Sequence, residues 1–356
     1  MKVLFYAVNG LGLGHVTRLL AIAREMKKIQ KDIQILFYTS SEAESVIYQE
    51  GFAAFKVPSK KAALINHFSP SEHIKLLQLT FPVMISGFHP DILVVDTFPL
   101  GYVHELDSPL SWSGTKKVFI YRQRKENKTL DKHFLKSLKR YDKIIVPHQN
   151  DCYGVYIPQK VNAVYTGEIL IRSKEEILPK DAALKRLGIK NDRKNVLITL
   201  GGGGDDSLSD IIPKIVQEIK SFPLNVFIAS GVLLNGFTQP EDCRLIENYF
   251  PLCELYNAFD FVISGCGYNS VNELLYFHKP SVYLPLERGI DDQFQRAGYI
   301  HDNALGFMAN TPEETGYYLN LLTNQDLYSI FQKNLQKLNL KNNAKFAAKE
   351  ILKTVK

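Results

Sequence analysis

The chain has no apolar run approaching the roughly 18 residues that a membrane-spanning helix requires. It is poor in cysteine. The four present, Cys152, Cys243, Cys253 and Cys266, form no CxxC pair and have no histidine at metal-ligand spacing. Neither a disulfide framework nor a zinc site is expected, and the thiols suit a cytoplasmic protein. Met1 to Val8 lacks the succession of charged, long apolar and small residues that marks a signal peptide, and reads instead as a first strand. No segment is both highly charged and poor in aromatics, which excludes bulk disorder. The basic residues do not interleave with aromatics as in a nucleic-acid module, so no nucleic-acid partner is expected.

At 356 residues and 45% hydrophobic, the chain can fill two cores of ordinary domain size. Its net charge of +6 is unevenly divided. Residues 1–168 hold 22 Lys and Arg against 15 Asp and Glu, a balance of +7, while the remainder stands at −1. The asymmetry points to an anionic partner, such as a phospholipid surface or a phosphorylated acceptor, with a solvated basic face as the plain alternative.

Short Val/Ile/Leu-rich runs alternate with helical patterns. VLFYAV (3–8), IQILFY (33–38), ILVVD (92–96), KVFIY (117–121) and KIIVP (143–147) suit strands covered on both faces of a parallel sheet. A helix is expected from about His15 to Ile29, and another near 41–49. The pattern restarts at NVLITL (195–200) and continues through NVFIAS, DFVISG and SVYLPL, with a helical tail from about Asp326. The expected boundary lies where charge density rises and Pro179 punctuates the chain. This gives an N-terminal domain over 1–168 and a C-terminal domain over 169–340. A last helix over 341–356 is a candidate to cross back to the first domain. The expected architecture is α/β: two Rossmann-like, doubly wound domains facing a central cleft, each with its ligand crevice at the carboxyl ends of its strands.

Four segments carry chemistry. In VNGLGLGHVTR (8–18), Gly10, Gly12 and Gly14 allow backbone amides near a ligand, and His15 follows at a helix start, where the positive helix end favours the neutral base. The alternative is a surface histidine at a turn. In PDILVVDTFPLGY (90–102), Asp96 ends a strand at the same sheet edge as His15. Its carboxylate could hydrogen-bond one ring nitrogen, or cap a helix beginning at Pro99. In ITLGGGGDDSLSD (198–210), Gly201, Gly202, Gly203 and Gly204 can surround a diphosphate. Of Asp205 and Asp206, one reads as a helix cap. No GK[ST] follows, which excludes an ATP-hydrolysing P-loop, and Tyr38, Thr39 and Ser40 stand where a dinucleotide-binding fold would place an acid. In residues 260–297, Gly265 and Gly267 precede Asn269, Ser270 and Glu273. Glu273 is placed to hold ribose hydroxyls, and Asp292 with Gln293 to grip sugar hydroxyls.

These segments resemble the GT-B glycosyltransferases, in particular the branch holding the peptidoglycan lipid II GlcNAc transferase and the UDP-glycosyltransferases of small molecules. The resemblance spans essentially the whole chain and is strongest over 260–297. It implies that Glu273 holds the ribose, with Ser270 in the same turn, and that Asp292-Gln293 contacts the donor sugar. It further implies that His15 is the base and Asp96 its partner. In the interdomain stretch VYTGEILIR, Glu168-Ile169 replaces the commoner Asn-Pro. The implied activity is an inverting, metal-independent transfer from a nucleotide-sugar, UDP-linked, with no cofactor. A nucleotide-sugar hydrolase or epimerase and a non-catalytic nucleotide-sugar-binding subunit are the alternatives. DTFPLGY stands where the lipid II enzyme has a second glycine-rich turn, implying another acceptor, anionic or lipid-linked, and peripheral association with the inner membrane face as one possibility.

Overall fold

The computed structural model describes residues 1–8, 12–149, 154–189, 192–201, 208–230, 239–240 and 242–355. The chain divides into two compact units: Met1–Ile171 with Asn342–Lys356, and Arg172–Lys341.

Unit 1 contains β1 (Lys2–Ala7), β2 (Gln34–Thr39), β3 (Ala53–Lys56), β4 (Ile92–Asp96), β5 (Lys116–Ile120), β6 (Lys143–Val146) and β7 (Ala163–Tyr165). They form one parallel sheet in the order β3-β2-β1-β4-β5-β6-β7. Leu4 and Tyr6 project into a core shared with Leu77 and Phe81 of helix Pro70–Phe88. The alternate residues Val3 and Phe5 are equally buried, which is why β1 reads as an unbroken apolar run. Helix Pro70–Phe88 starts with a capping box between Ser69 and Glu72 and has proline at its first position.

Unit 2 repeats the plan with β8 (Lys194–Thr199), β9 (Leu224–Ala229), β10 (Cys243–Ile246), β11 (Phe261–Gly265), β12 (Ser281–Leu284) and β13 (Phe307–Met308). The order is β10-β9-β8-β11-β12-β13, all parallel. Helix Leu208–Ile219 buries Ile212, Ile215 and Ile219 against the sheet core of Val196, Ile198 and Ile263.

In each sheet the winding reverses between the first strand and the fourth: between β1 and β4, and between β8 and β11. Open α/β sheets bind ligands at the carboxyl ends of strands at such a reversal. One expectation fails near it. No helix begins at Pro99; residues 97–108 form turns and bends, followed by a short 3-10 turn at Pro109–Ser111. The cause is local, because Thr97 adopts a φ of 66° and Phe98 N–H returns to the Asp96 carbonyl at 2.8 Å. That tight turn is incompatible with a helical start.

Candidate active site

The reversal in unit 1 joins the β1 loop to the end of β4. Gly12 has a φ of +81°, a conformation glycine adopts without strain, and helix Gly14–Ile29 starts two residues later. His15 is therefore in the first turn, but it is buried, at 8% exposure, rather than a surface residue. Its ring stacks on Phe98 with centroids 5.7 Å apart and planes 5° from parallel. Burial drives its pKa down to about 4, against the pull of Asp96, and Arg122 and Arg18 add to the depression. The residue is thus a neutral imidazole at ordinary pH, through desolvation more than through the helix end invoked from sequence.

Asp96 is fully buried and faces His15, with Oδ1 3.7 Å from Nδ1. The expected hydrogen bond between them is absent, and Nδ1 has no hydrogen-bond partner among the described residues. The carboxylate is taken by others. Arg18 donates from Nε to Oδ2 and from Nη2 to Oδ1, each at 3.0 Å, and Thr97 Oγ1 donates to Oδ1 at 2.7 Å. Arg18 is itself only 1% exposed. Nor does Asp96 cap a helix. Arg18 and Thr97 were not singled out from sequence; the available signal was Arg18 one turn beyond His15 on the same helix.

The loop after β4 is fastened from below. Tyr6, fully buried on β1, donates to Glu105 and accepts from Tyr102 N–H at 3.0 Å, while Glu105 Oε2 accepts from Val103 N–H at 2.8 Å. These anchors hold the segment that presents Phe98 to His15.

In unit 2, Gly201 at the end of β8 has a φ of +107°, again a conformation suited to glycine. Gly202, Gly203, Gly204 and the Asp205–Asp206 pair lie outside the described residues. Gly265 ends β11, and Gly267 is the N-cap of helix Tyr268–Tyr276, with Asn269 and Ser270 in its first turn. Glu273 lies in the second turn, buried at 9% exposure. Its one side-chain donor among the described residues is Tyr256 Oη at 3.4 Å. Burial consequently raises its pKa to about 7, which the Tyr256 hydrogen bond only partly opposes. A buried carboxylate so lightly bonded suits a ligand that brings its own hydroxyl donors.

The 287–293 turn reaches the same region. Asp292 Oδ1 accepts from Gln295 N–H at 3.0 Å and so caps helix Gln293–Asp302, a structural role beside the sugar-binding one expected for it. Gln293 Oε1 accepts from Leu286 N–H at 2.9 Å, which orients its amide. Arg296, missed from sequence, joins this turn to the β11 loop. It donates to Asp291 Oδ1 at 2.9 Å and to the Cys266 carbonyl at 2.6 Å. Of the cysteines, Cys243, Cys253 and Cys266 are buried and in no disulfide.

Residues 195–355 match the model of the glycosyltransferase family 28 C-terminal domain. Along its length the chain is similar to the UDP-N-acetylglucosamine–N-acetylmuramyl-(pentapeptide) pyrophosphoryl-undecaprenol N-acetylglucosamine transferase of Thermosipho melanesiensis. The two are 26% identical over 98% of this chain and 97% of the relative. Among solved structures, MurG of Acinetobacter baumannii superposes with a TM-score of 0.61 at 17% identity, over 99% of both chains. The spinosyn forosaminyltransferase SpnP does so with 0.63 at 14% identity, over 100% of this chain and 99% of that one. These structural likenesses establish the fold, and the sequence likeness adds the activity class. By these likenesses the chain has the GT-B fold and resembles the lipid II GlcNAc transferases, with the glycosyltransferase family 28 C-terminal domain matched over residues 195–355.

Proposed function

We propose that the protein is an inverting, metal-independent transferase that moves a sugar from a UDP-linked donor held by unit 2 to an acceptor hydroxyl activated by unit 1. The observation that carries this reading is the pairing of two perturbed groups at equivalent sheet reversals: a buried neutral His15 and a buried, lightly bonded Glu273. In the transfer, the acceptor oxygen forms a bond to the anomeric carbon from the face opposite the diphosphate. The bond from that carbon to the diphosphate oxygen breaks, and its electron pair leaves with UDP. The hydroxyl proton goes to His15 Nε2, since Nδ1 faces Asp96. Gly201–Gly204 and the helix behind them are assigned to the leaving diphosphate. The uridine and the nucleotide-sugar class are supported by the Thermosipho relative, whose named donor is UDP-N-acetylglucosamine. Relatives are named as transferases, which favours transfer over the hydrolase, epimerase and binding-subunit readings.

The acceptor is proposed to be presented at an anionic lipid surface. Unit 1 carries 26 basic and 16 acidic residues, unit 2 17 and 21. Unit 1 also exposes Leu64, Ile65, Leu79 and Val83 on helices Lys60–Ile65 and Pro70–Phe88, at 57–74%, beside the exposed Lys60, Lys61 and Lys75. No described helix is long and apolar enough to cross a membrane. The combination fits peripheral binding by apolar side chains with basic support.

Screening nucleotide-sugars by thermal shift, with and without EDTA, tests the donor. A UDP-sugar at about a hundred times Kd should add roughly 2.7 kcal/mol of stability. Stabilisation by another nucleotide class alone, or only with a divalent ion, would overturn that part. For the surface, pelleting with phosphatidylglycerol vesicles should fall as salt rises from low to high ionic strength. Equal recovery in every supernatant would reduce the basic face to a solubility feature.

A further inference from the structure

We propose that Arg18 is a positioning residue of this site: by occupying both oxygens of Asp96 it withholds the carboxylate from His15 and keeps the imidazole unprotonated until it meets the acceptor proton. The inference rests on the reading of His15 as the base.

The geometry argues for it in three steps. First, Arg18 follows His15 by three residues on one helix, so both side chains descend on the same side toward the end of β4. Second, the guanidinium forks onto both carboxylate oxygens at 3.0 Å, and Thr97 takes a further position on Oδ1, the oxygen nearer His15. A carboxylate engaged in this manner has its lone pairs directed at Arg18 and Thr97, and His15 Nδ1 is left at 3.7 Å. Third, a free carboxylate at that place would hydrogen-bond the imidazole and favour its cation, raising its pKa by one to three units as a rough rule. For a base whose pKa stands at about 4, that would bring protonation closer to the neutral range. The arrangement seen avoids this, while leaving negative charge close by for the imidazolium once it forms.

Other charged groups facing His15 act in known directions. Asp96 at the end of β4 raises its pKa; Arg122, after β5, and Arg18, on its own helix, lower it; burial outweighs them all. Phe98 covers the ring and carries no charge. The effect of Arg18 is therefore twofold: the field of its own cation, and its hold on Asp96. Only the second depends on the fork geometry. An arginine that merely tied the helix to β4 would leave the His15 titration indifferent to that geometry.

The test is the imidazole titration of His15 in the full chain. It is followed by NMR of ring-labelled histidine, with the His15 signal assigned by its loss in His15→Ala. Arg18→Lys keeps a cation but gives up the fork, freeing one Asp96 oxygen. The His15 titration should move upward by about one pH unit, in the direction that pairing with a carboxylate dictates. Thr97→Val removes one hydrogen bond to Oδ1 and should move it the same way by less. An unmoved titration in Arg18→Lys overturns the proposal. If that variant fails to fold, the Thr97→Val titration decides by the same criterion. Failure of the underlying reading looks different: His15→Ala would then turn over donor and acceptor normally, whatever the titrations show.

Discussion

Asp96 and Glu273 are both buried carboxylates near a sheet reversal, one at the end of β4 and the other in the helix that follows β11. Asp96 receives three hydrogen bonds from Arg18 and Thr97. Among the described residues, Glu273 receives one, at 3.4 Å, from Tyr256. Where a chain supplies several close donors itself, the carboxylate belongs to the framework. Where it supplies a single distant one, the group rises in pKa and awaits donors from elsewhere. Burial alone therefore does not separate a site residue from a framework residue. The completeness of its hydrogen bonding does.

The contrast can be broken most sharply at His15, which stands beside the well-bonded acid. His15→Ala should lower turnover about 10²–10⁴-fold, the range for a positioned proton acceptor. Donor affinity should remain, since the assigned donor residues lie in the other unit. With a folded-state pKa near 4, the wild-type base stays competent through mildly acid pH, and its acidic limb should vanish in the variant. The stability sign follows from the same depression: His15 contributes fully above its ordinary value of 6.5, and that contribution is lost as pH falls toward 4. Near-normal turnover in a folded His15→Ala protein would end the assignment.

Next in size is the framework acid. Asp96→Ala leaves the Arg18 guanidinium buried without its partner, and breaking such a pair costs about 3–5 kcal/mol. Denaturant melts should show the loss in unit 1, with UDP-sugar binding by folded protein preserved. If Asp96→Ala melts like wild type, the carboxylate is not part of the framework, and its contrast with Glu273 collapses.

Glu273 should give the smaller effect, and on binding. Glu273→Ala should weaken UDP-sugar affinity by about 1–3 kcal/mol through loss of a charge-assisted hydrogen bond. Ribose hydroxyls donate to the ionised form, so wild-type affinity should tighten as pH rises through about 7 and slacken below it. The free protein responds oppositely. The stability tied to neutral Glu273 is complete below the ordinary carboxyl value of 4.5 and is lost as pH rises through about 7. Calorimetric titration of a UDP-sugar at pH 6 and pH 8 tests the binding half, and Glu273→Gln should flatten the response. A wild-type affinity indifferent to pH would sink the ribose assignment.

Much of the fold was legible because both faces of each central strand are covered. VLFYAV and ILVVD consequently appear as unbroken apolar runs. The short strands β3, β7, β10 and β13 escaped, since two to four residues carry too little periodicity to be told from loops. Residues 50–90 were also unread, although Ser69 and Glu72 spell a capping box there. At the candidate site, the sequence put His15 and Asp96 at one sheet edge, where they lie 3.7 Å apart, and Glu273 in the helix after β11. It missed Arg18, because a charged residue one turn along a helix normally reads as solvated. Only the tertiary packing that sets it against the end of β4 turns it into the chief partner of Asp96. The expected helix at Pro99 failed for a related reason: the sequence did not announce a threonine at positive φ.

Unit 1 draws its last helix, Ala344–Leu352, from beyond unit 2, and this orders events during synthesis. Ala347, Ala348 and Ile351 are wholly buried, and Glu350 pairs with Lys143 beneath them. Unit 2 is a single continuous stretch and has all its parts once residue 341 has left the ribosome. Unit 1 begins first yet must hold an apolar side of helix Gly14–Ile29 uncovered until helix Ala344–Leu352 emerges. The half that carries His15 thus closes after the other, and a nascent chain stalled before residue 342 would hold a complete unit 2 and an incomplete unit 1.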